Sequence, residues 1–259
     1  MNRKLTALAG AVLLVAAAGE SRAVEFTLGA GAAYAPDYEG SNDYQFAPLW
    51  LVRAANLYHP ETYVQILGTG LSSNLLPHEH FRLGLAGLYK FDYDNVDDDS
   101  VQDVKGTDAA LLVGPTLGYD FWTGPQHDLA LELDALYDVA NGNGALVTPK
   151  LRVKSLLQPG LIAEAKVFTT WASDDYMGNW YSINDRDAAD SGLSSYNASE
   201  GLKDAGLVGS LTYLFTPRWS LTGTAGYSRL LQDAEDSPIV ADRGDENQFL
   251  GGLLVNYRF

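Results

Sequence analysis

Hydrophobic and polar positions alternate along most of this chain. At the end, Phe249, Gly251, Leu253, Val255, Tyr257 and Phe259 share one phase, and Gln248, Leu250, Gly252, Leu254, Asn256 and Arg258 share the other. One face is apolar and the other mixed, the period-2 mark of a strand between two environments. The pattern recurs in Phe26, Leu28, Ala30, Ala32, Tyr34 and in Phe81, Leu83, Leu85, Gly87, Tyr89, Phe91. Leu111 to Phe121 and Ala205 to Phe215 repeat it, and Trp219, Leu221, Gly223, Ala225, Tyr227 is the cleanest case. An aromatic closes one or both ends of each apolar face, as in a lipid-facing band bounded by interfacial girdles.

The runs reach about 10 residues, the length of a tilted membrane strand, where sandwich strands average about 5 or 6. Gly, Thr, Ser and charge occupy the second face, which suits a polar lumen better than the core of a soluble sandwich or lipocalin-like barrel. Pro115 and Pro149 each remove a ladder donor and predict two local irregularities. The fold class is therefore all-β, a transmembrane antiparallel up-and-down β-barrel. Strands are expected at 80–91, 109–122, 127–138, 146–157, 161–171, 203–215, 219–230 and 248–259, with one at about 67–76. "YQFAPLWLV" and "LYHPETYVQ" supply two more, so that parity favours twelve, with ten the alternative. The turns "LPHE", "TGPQ", "QPG" and "TPR" are short and contain proline, whereas on the other side 92–107, 172–202 and 231–247 are long and only "NGNG" at 141–144 is short. Short periplasmic turns and long extracellular loops are the asymmetry of outer-membrane barrels.

The N-terminal segment agrees. Arg3 and Lys4 precede an apolar run from Leu5 to Ala18 and the small-x-small triplet Ser21-Arg22-Ala23. This is the form of a cleaved export signal, 1–23, leaving 24–259 as one barrel domain. The run is shorter than the roughly 20 residues of a spanning helix. No cysteine is present to carry a disulfide or a lipid.

Charge then places the acid. Without Arg3, Lys4, Arg22 and Glu20, the 17 basic and 33 acidic residues become 14 and 32, a net of −18, which argues against a nucleic-acid partner. Asp92, Asp94, Asp97, Asp98, Asp99 and Asp103 fall in one outer loop, Asp174, Asp175, Asp185, Asp187 and Asp190 in the second, and Asp233, Glu235, Asp236, Asp242, Asp245 and Glu246 in the third. Divalent cations bridging to lipopolysaccharide are one reading, but "DYDNVDDDS" lacks the glycine and terminal glutamate of a calcium loop, and solvated acidic loops are favoured.

Charge on the lumen phase carries more information. Asp128, Glu132 and Asp134 on one strand neighbour Lys150, Arg152 and Lys154 on the next and Glu164 and Lys166 on a third. Such a ladder either braces the sheet or sets the ion preference of a channel. An enzyme of the outer rim needs a base there, and His59, His78, His80 and His127 all map near periplasmic turns. "HEH" at 78–80 offers two imidazoles, too few for a metal site. No catalytic residue, cofactor or metal is expected.

The stretches "GAAYAPDYEGSNDY", "GLSSNLLP", "SGLSSYNASEGLKDAG", "PRWSLTG", "YSRLLQDAEDSPIV" and the closing "YRF" resemble the MipA/OmpV outer-membrane proteins across the whole mature chain. Gln232, where the family often has glycine, and the loose "MGNWYSIND" depart from its pattern. The resemblance implies an outer-membrane location and a non-enzymatic scaffold that docks murein-remodelling enzymes, a lytic transglycosylase and a penicillin-binding protein. A small-solute channel and a surface adhesin are the alternatives. Tyr257 and Phe259 resemble the C-terminal signal read by the barrel-assembly machinery.

Overall fold

The computed structural model describes residues 23–94, 96–104 and 107–259; the expected export signal, save Ala23, lies outside them. Twelve antiparallel strands close into a barrel in which every strand pairs with its neighbours in sequence and the first pairs with the last. They are β1 (Glu25–Pro36), β2 (Tyr44–Ala55), β3 (Tyr63–Leu67), β4 (Gly70–Asn74), β5 (Phe81–Lys90), β6 (Ala110–Thr123), β7 (His127–Asp138), β8 (Ala145–Gln158), β9 (Leu161–Ala172), β10 (Gly201–Leu214), β11 (Trp219–Leu230) and β12 (Asn247–Arg258). Closure leaves no edge strand, the condition for a sheet to sit in lipid.

Register confirms the two phases. Leu28 pairs with Tyr257 and Val52, and Leu117 with Leu83 and Leu133, so the apolar phase is continuous around the outside. Aromatic contacts mark both ends of that band. At the turn end Phe81 meets Tyr119 at 5.0 Å and Trp219 meets Tyr257 at 4.8 Å; at the loop end Tyr34 meets Phe46 at 4.9 Å and Tyr227 meets Phe249 at 5.0 Å. Phe259 extends the turn-end girdle, stacked edge-on against Tyr257, and its N–H donates to the Phe26 carbonyl. Pro115 and Pro149 stay inside β6 and β8, and ladder pairs are missing beside each, between Val113 and Thr116 and between Val147 and Lys150.

Two features depart from the sequence expectation. The strand expected over "LYHPETYVQ" begins only at Tyr63, because Asn56 takes a positive φ and Thr62 closes a turn on His59. β3 and β4 are five residues each and meet in a tight turn at Gly68 and Thr69, so a second short connection stands at the loop end beside "NGNG".

The second departure is in the long loops, which fold inward. They carry α1 (Asp99–Gln102), α2 (Asp174–Tyr181), α3 (Asp185–Ser191), α4 (Asp233–Asp236) and α5 (Pro238–Ala241). Tyr176, Met177, Trp180 and Tyr181 of α2 are buried with Tyr93, Val101, Ile239 and Val240 against the lumen-facing Ala86, Leu112, Leu136 and Leu146. Among the described residues, the buried hydrophobic cluster is thus a cap in the barrel's mouth. Helix α2 ends with carbonyls that have no partner inside the helix. Tyr93 Oη donates to the Trp180 carbonyl at 2.9 Å and Ser237 Oγ to the Tyr181 carbonyl at 2.7 Å, which ties three loops together. At its start, Ser173 Oγ accepts from Ala145 N–H, and Gly144 sits so close that a Cβ there would lie 2.3 Å from the Tyr176 nitrogen. Gly144 also holds φ +89°, which only glycine adopts at low cost.

Replacing Gly144 by alanine should therefore lift α2 while leaving the barrel closed. Hydrogen exchange over 174–181 is expected to accelerate at least about tenfold, with heat-modifiable migration of the barrel retained.

Candidate functional site

Two cavities in series occupy the lumen. The one at the turn end, about 760 Å³, is polar and takes in Arg53, Gln65, Arg82, Glu132, Arg152 and Lys166. The one beneath the cap, about 690 Å³, is mostly apolar, with Leu88, Leu136, Leu146, Tyr93, Tyr176 and Trp180 in its walls. Ala86 and Asp134 line both. Asp134 is held at that junction by Lys150 and by Thr116 Oγ1, which donates at 2.7 Å.

The turn-end cavity runs along a charged wall. Arg82 grips Asp120 with two parallel hydrogen bonds of 2.7 and 2.8 Å. Arg152 reaches the same carboxylate at 3.0 Å and donates through Nε to Glu132 at 2.9 Å. Lys166 pairs with Glu164 at 3.2 Å, and Arg152 lies 4.0 Å from Glu164. The Arg152 and Asp120 side chains are only 5% and 3% exposed. A carboxylate that deep needs its full set of donors, and two guanidiniums supply them.

Most of the expected ladder is ion-paired, Glu132, Arg152, Glu164 and Lys166 within this network and Asp134 with Lys150 beside it. Asp128 and Lys154 pair in register and line the cavity without an ion pair among the described residues. Arg82 and Asp120, its most tightly bound members, were missing from the expected set. Alternation puts both on the lumen phase, but on β5 and β6, outside the three adjacent strands that carry the expected ladder, and Arg152 on β8 crosses over β7 to reach Asp120. The opposite wall is neutral, with Thr212, Thr222, Ser220 and Asn256 bonded among themselves.

Under the cap lies a second ionic cluster. Glu39, from the β1–β2 loop, accepts from Lys90 and Lys203, and Lys203 also binds Asp204. Lys90 Nζ stands 3.9 Å from the centre of the Trp180 ring and donates to Tyr176 Oη at 2.7 Å. Burial disfavours ionisation of Glu39, but Lys203 and Lys90 outweigh it and hold the carboxyl well below the usual range. Burial, and then the Glu39 charge, push the Tyr176 phenol up.

The loop acids have local tasks. Asp98 caps α1 by accepting from Val101 N–H at 3.1 Å and binds Arg243 at 2.7 Å, and Asp37 accepts from Asp97 N–H at 2.7 Å. His78, His80, His59 and His127 all lie at the turn end, where the His78 ring accepts two backbone N–H bonds of 3.1 Å.

A closed barrel with two aromatic girdles, a lipid-facing outside and a charged lumen is an outer-membrane β-barrel. The family described as MltA-interacting protein MipA matches residues 28–259, and the chain belongs to it. A putative outer membrane protein, YiaT, of Escherichia coli (strain K12) is 27% identical over 100% of this chain and 99% of its own length. The MltA-interacting protein of the same organism is 32% identical over 105 residues, 40% of this chain but only 35% of that relative. Among solved structures, an outer-membrane channel of Pseudomonas putida F1 superposes with a TM-score of 0.52 at 11% identity, over 93% of this chain and 97% of that one. The protein is located in the outer membrane, and the relatives are named as outer-membrane or interacting proteins, none by an enzymatic activity.

The Glu39 cluster sets a pH response. Its folded carboxyl titrates below its unfolded value, so its contribution is present above about pH 4.5 and is lost as pH falls below it. Near-ultraviolet circular dichroism of the Tyr93–Trp180 pair should hold down to about pH 4.5 and fade as the pH is lowered further. Glu39→Gln should show a weaker signal at neutral pH, because two buried ammonium groups lose their shared partner, and should lose its part of that acid transition.

Proposed function

We propose that this protein is a non-enzymatic channel for small solutes, narrow at rest, with the cap as its outer door and the charged wall as its filter. The observation that carries this reading is the pair of cavities meeting at Ala86 and Asp134 inside a closed barrel. At their meeting the Asp134 side chain is held by Lys150 and Thr116, and side chains reorient without breaking the ladder of strands. The lumen charges belong to this role: Lys150 and Asp134 at the junction, with Arg152, Glu132, Lys166 and Glu164 behind it, set which ions and solutes pass. Asp128 and Lys154 extend the same wall toward the periplasm.

A second reading, a scaffold for murein-remodelling enzymes, rests on the family description and on the relative named for interaction with MltA. The partners it requires are a lytic transglycosylase and a penicillin-binding protein. The turn end offers a thin platform for them, since β8–β9 and β10–β11 are joined by only two and four residues there, 159–160 and 215–218. Retention of neither enzyme by the native barrel from envelope extracts would remove this reading.

Planar-bilayer recording tests the channel. The purified protein is expected to give small, discrete, salt-dependent openings, and Lys150→Ala combined with Asp134→Ala should raise the unit conductance by about twofold or more. Silence in both proteins, with each barrel folded, would overturn the channel reading.

A further inference from the structure

The wall of the barrel is low on one side. β3 and β4 are five residues long where the other strands have 10 to 14, and their turn reaches only the middle of β2, where Gly68 N–H donates to the Trp50 carbonyl at 2.9 Å. On the other flank the turn reaches the top of β5, with Tyr89 N–H bonded to the Thr69 carbonyl at 3.0 Å. From Tyr44 to Leu49, β2 pairs with β1 alone. Backbone direction alternates along a strand, so Pro48, two residues from Trp50, turns its nitrogen toward the same unpaired side. That nitrogen has no hydrogen to offer, a device that keeps an open edge from recruiting another strand.

The cavity beneath the cap lies behind this gap. Its walls include Ala86, Leu88 and Leu136 on the lumen phase, but also Leu71 and Gly87, which pair with each other and with Ile66 on the lipid phase. Residues of both phases thus line it where the wall is low. Above the gap, Asp97 N–H on Asp37 and the Tyr38 and Tyr93 rings, which meet edge-on, form a lintel, and Phe46, 78% exposed, stands on its lipid side. Inside, Trp180 is 1% exposed and its indole N–H has no partner among the described residues. Its Nε1 is enclosed while the cap rests, so an acceptor in the cavity reaches it only when the indole turns, a side-chain reorientation that would relieve the cost of the unpaired donor.

We infer that this opening is a lateral portal between the outer leaflet and the cavity, and that the cavity binds a small, neutral, mostly apolar molecule bearing a hydrogen-bond acceptor for Trp180. About 690 Å³ holds a ligand of two or three rings. The site needs only the upper cavity, so it stands whether or not solutes cross the charged wall; the bilayer recordings described above address that wall separately.

Prodan, a neutral naphthalene ketone that partitions into membranes, is a suitable probe. Fluorescence anisotropy with the full barrel in phosphatidylcholine nanodiscs should show saturable binding of one molecule per barrel. Ala86→Trp, which fills the cavity, should weaken binding at least about tenfold, and Trp180→Phe, which keeps the ring but removes the donor, several-fold. Leu71→Trp, placed on the lipid side of the mouth, should slow loading in stopped-flow mixing several-fold while leaving the equilibrium affinity close to that of the parent. Heat-modifiable migration identifies the variants that fold, and Trp180→Phe and Leu71→Trp stand in if Ala86→Trp does not. Unchanged affinity in folded Ala86→Trp or in Trp180→Phe overturns the site, and an unchanged loading rate in Leu71→Trp overturns the portal.

Discussion

Every peptide group inside a bilayer must find its hydrogen-bond partner within the protein, and the closed circuit of twelve strands meets that demand everywhere but beside Tyr44–Leu49 of β2. The constraint divides the side chains before any function is considered. One phase must dissolve in lipid, so it is Leu, Val, Phe and small residues; everything ionic is left to the lumen. The carboxylates and guanidiniums of β5 to β9 face inward because no other surface of the strand tolerates them. Once inside, they are crowded enough that Asp120 and Glu132 are each shared between Arg82 and Arg152.

The same constraint explains where the hydrophobic core lies. A barrel has no interior sheet packing, so the apolar cluster forms where the loops return over the mouth. It rests on lumen-facing alanines and leucines near the strand tops and is stitched by backbone carbonyls of α2 to Tyr93 and Ser237. Beneath it the Glu39 cluster supplies the polar complement: two lysines and two carboxylates that neutralise one another while one lysine lies against Trp180. The outer surface is acidic, yet its acids serve as caps and clasps at least as much as solvated charge.

Much of the fold was legible in the sequence because the dyad period is local. Nine strands, the paired girdles and the short proline-bearing turns follow from alternation and turn chemistry alone. Where alternation was weak it misled: "LYHPETYVQ" contains too few lipid-phase residues to fix a start, and the five-residue β3 and β4 were expected to be longer. The cap was missed for another reason. Tyr176, Met177, Trp180 and Tyr181 have helical spacing, but they are embedded in a run of aspartates and glycine whose composition reads as solvent-exposed loop. The charged wall was legible in phase but not in partnership, since Arg152 finds Asp120 across an intervening strand and the curvature that allows this is a property of the closed barrel.

That wall also bears on the order of assembly. Its members lie between Arg82 and Lys166, and its key contacts join residues 38 and 32 positions apart, whereas the seam between β1 and β12 joins residues more than 200 apart. Loop-closure entropy therefore favours the charged half-cylinder as the earlier structure and the seam as the last. At that seam the strands meet through Gly31, whose Cβ would lie 1.8 Å from the Leu253 carbonyl, and through Gly251 and Gly252. The barrel is built like a hinged tube: a stiff ionic spine forms first, and an edge of small residues on β1, Gly29 to Ala33, is left to be zipped shut against β12.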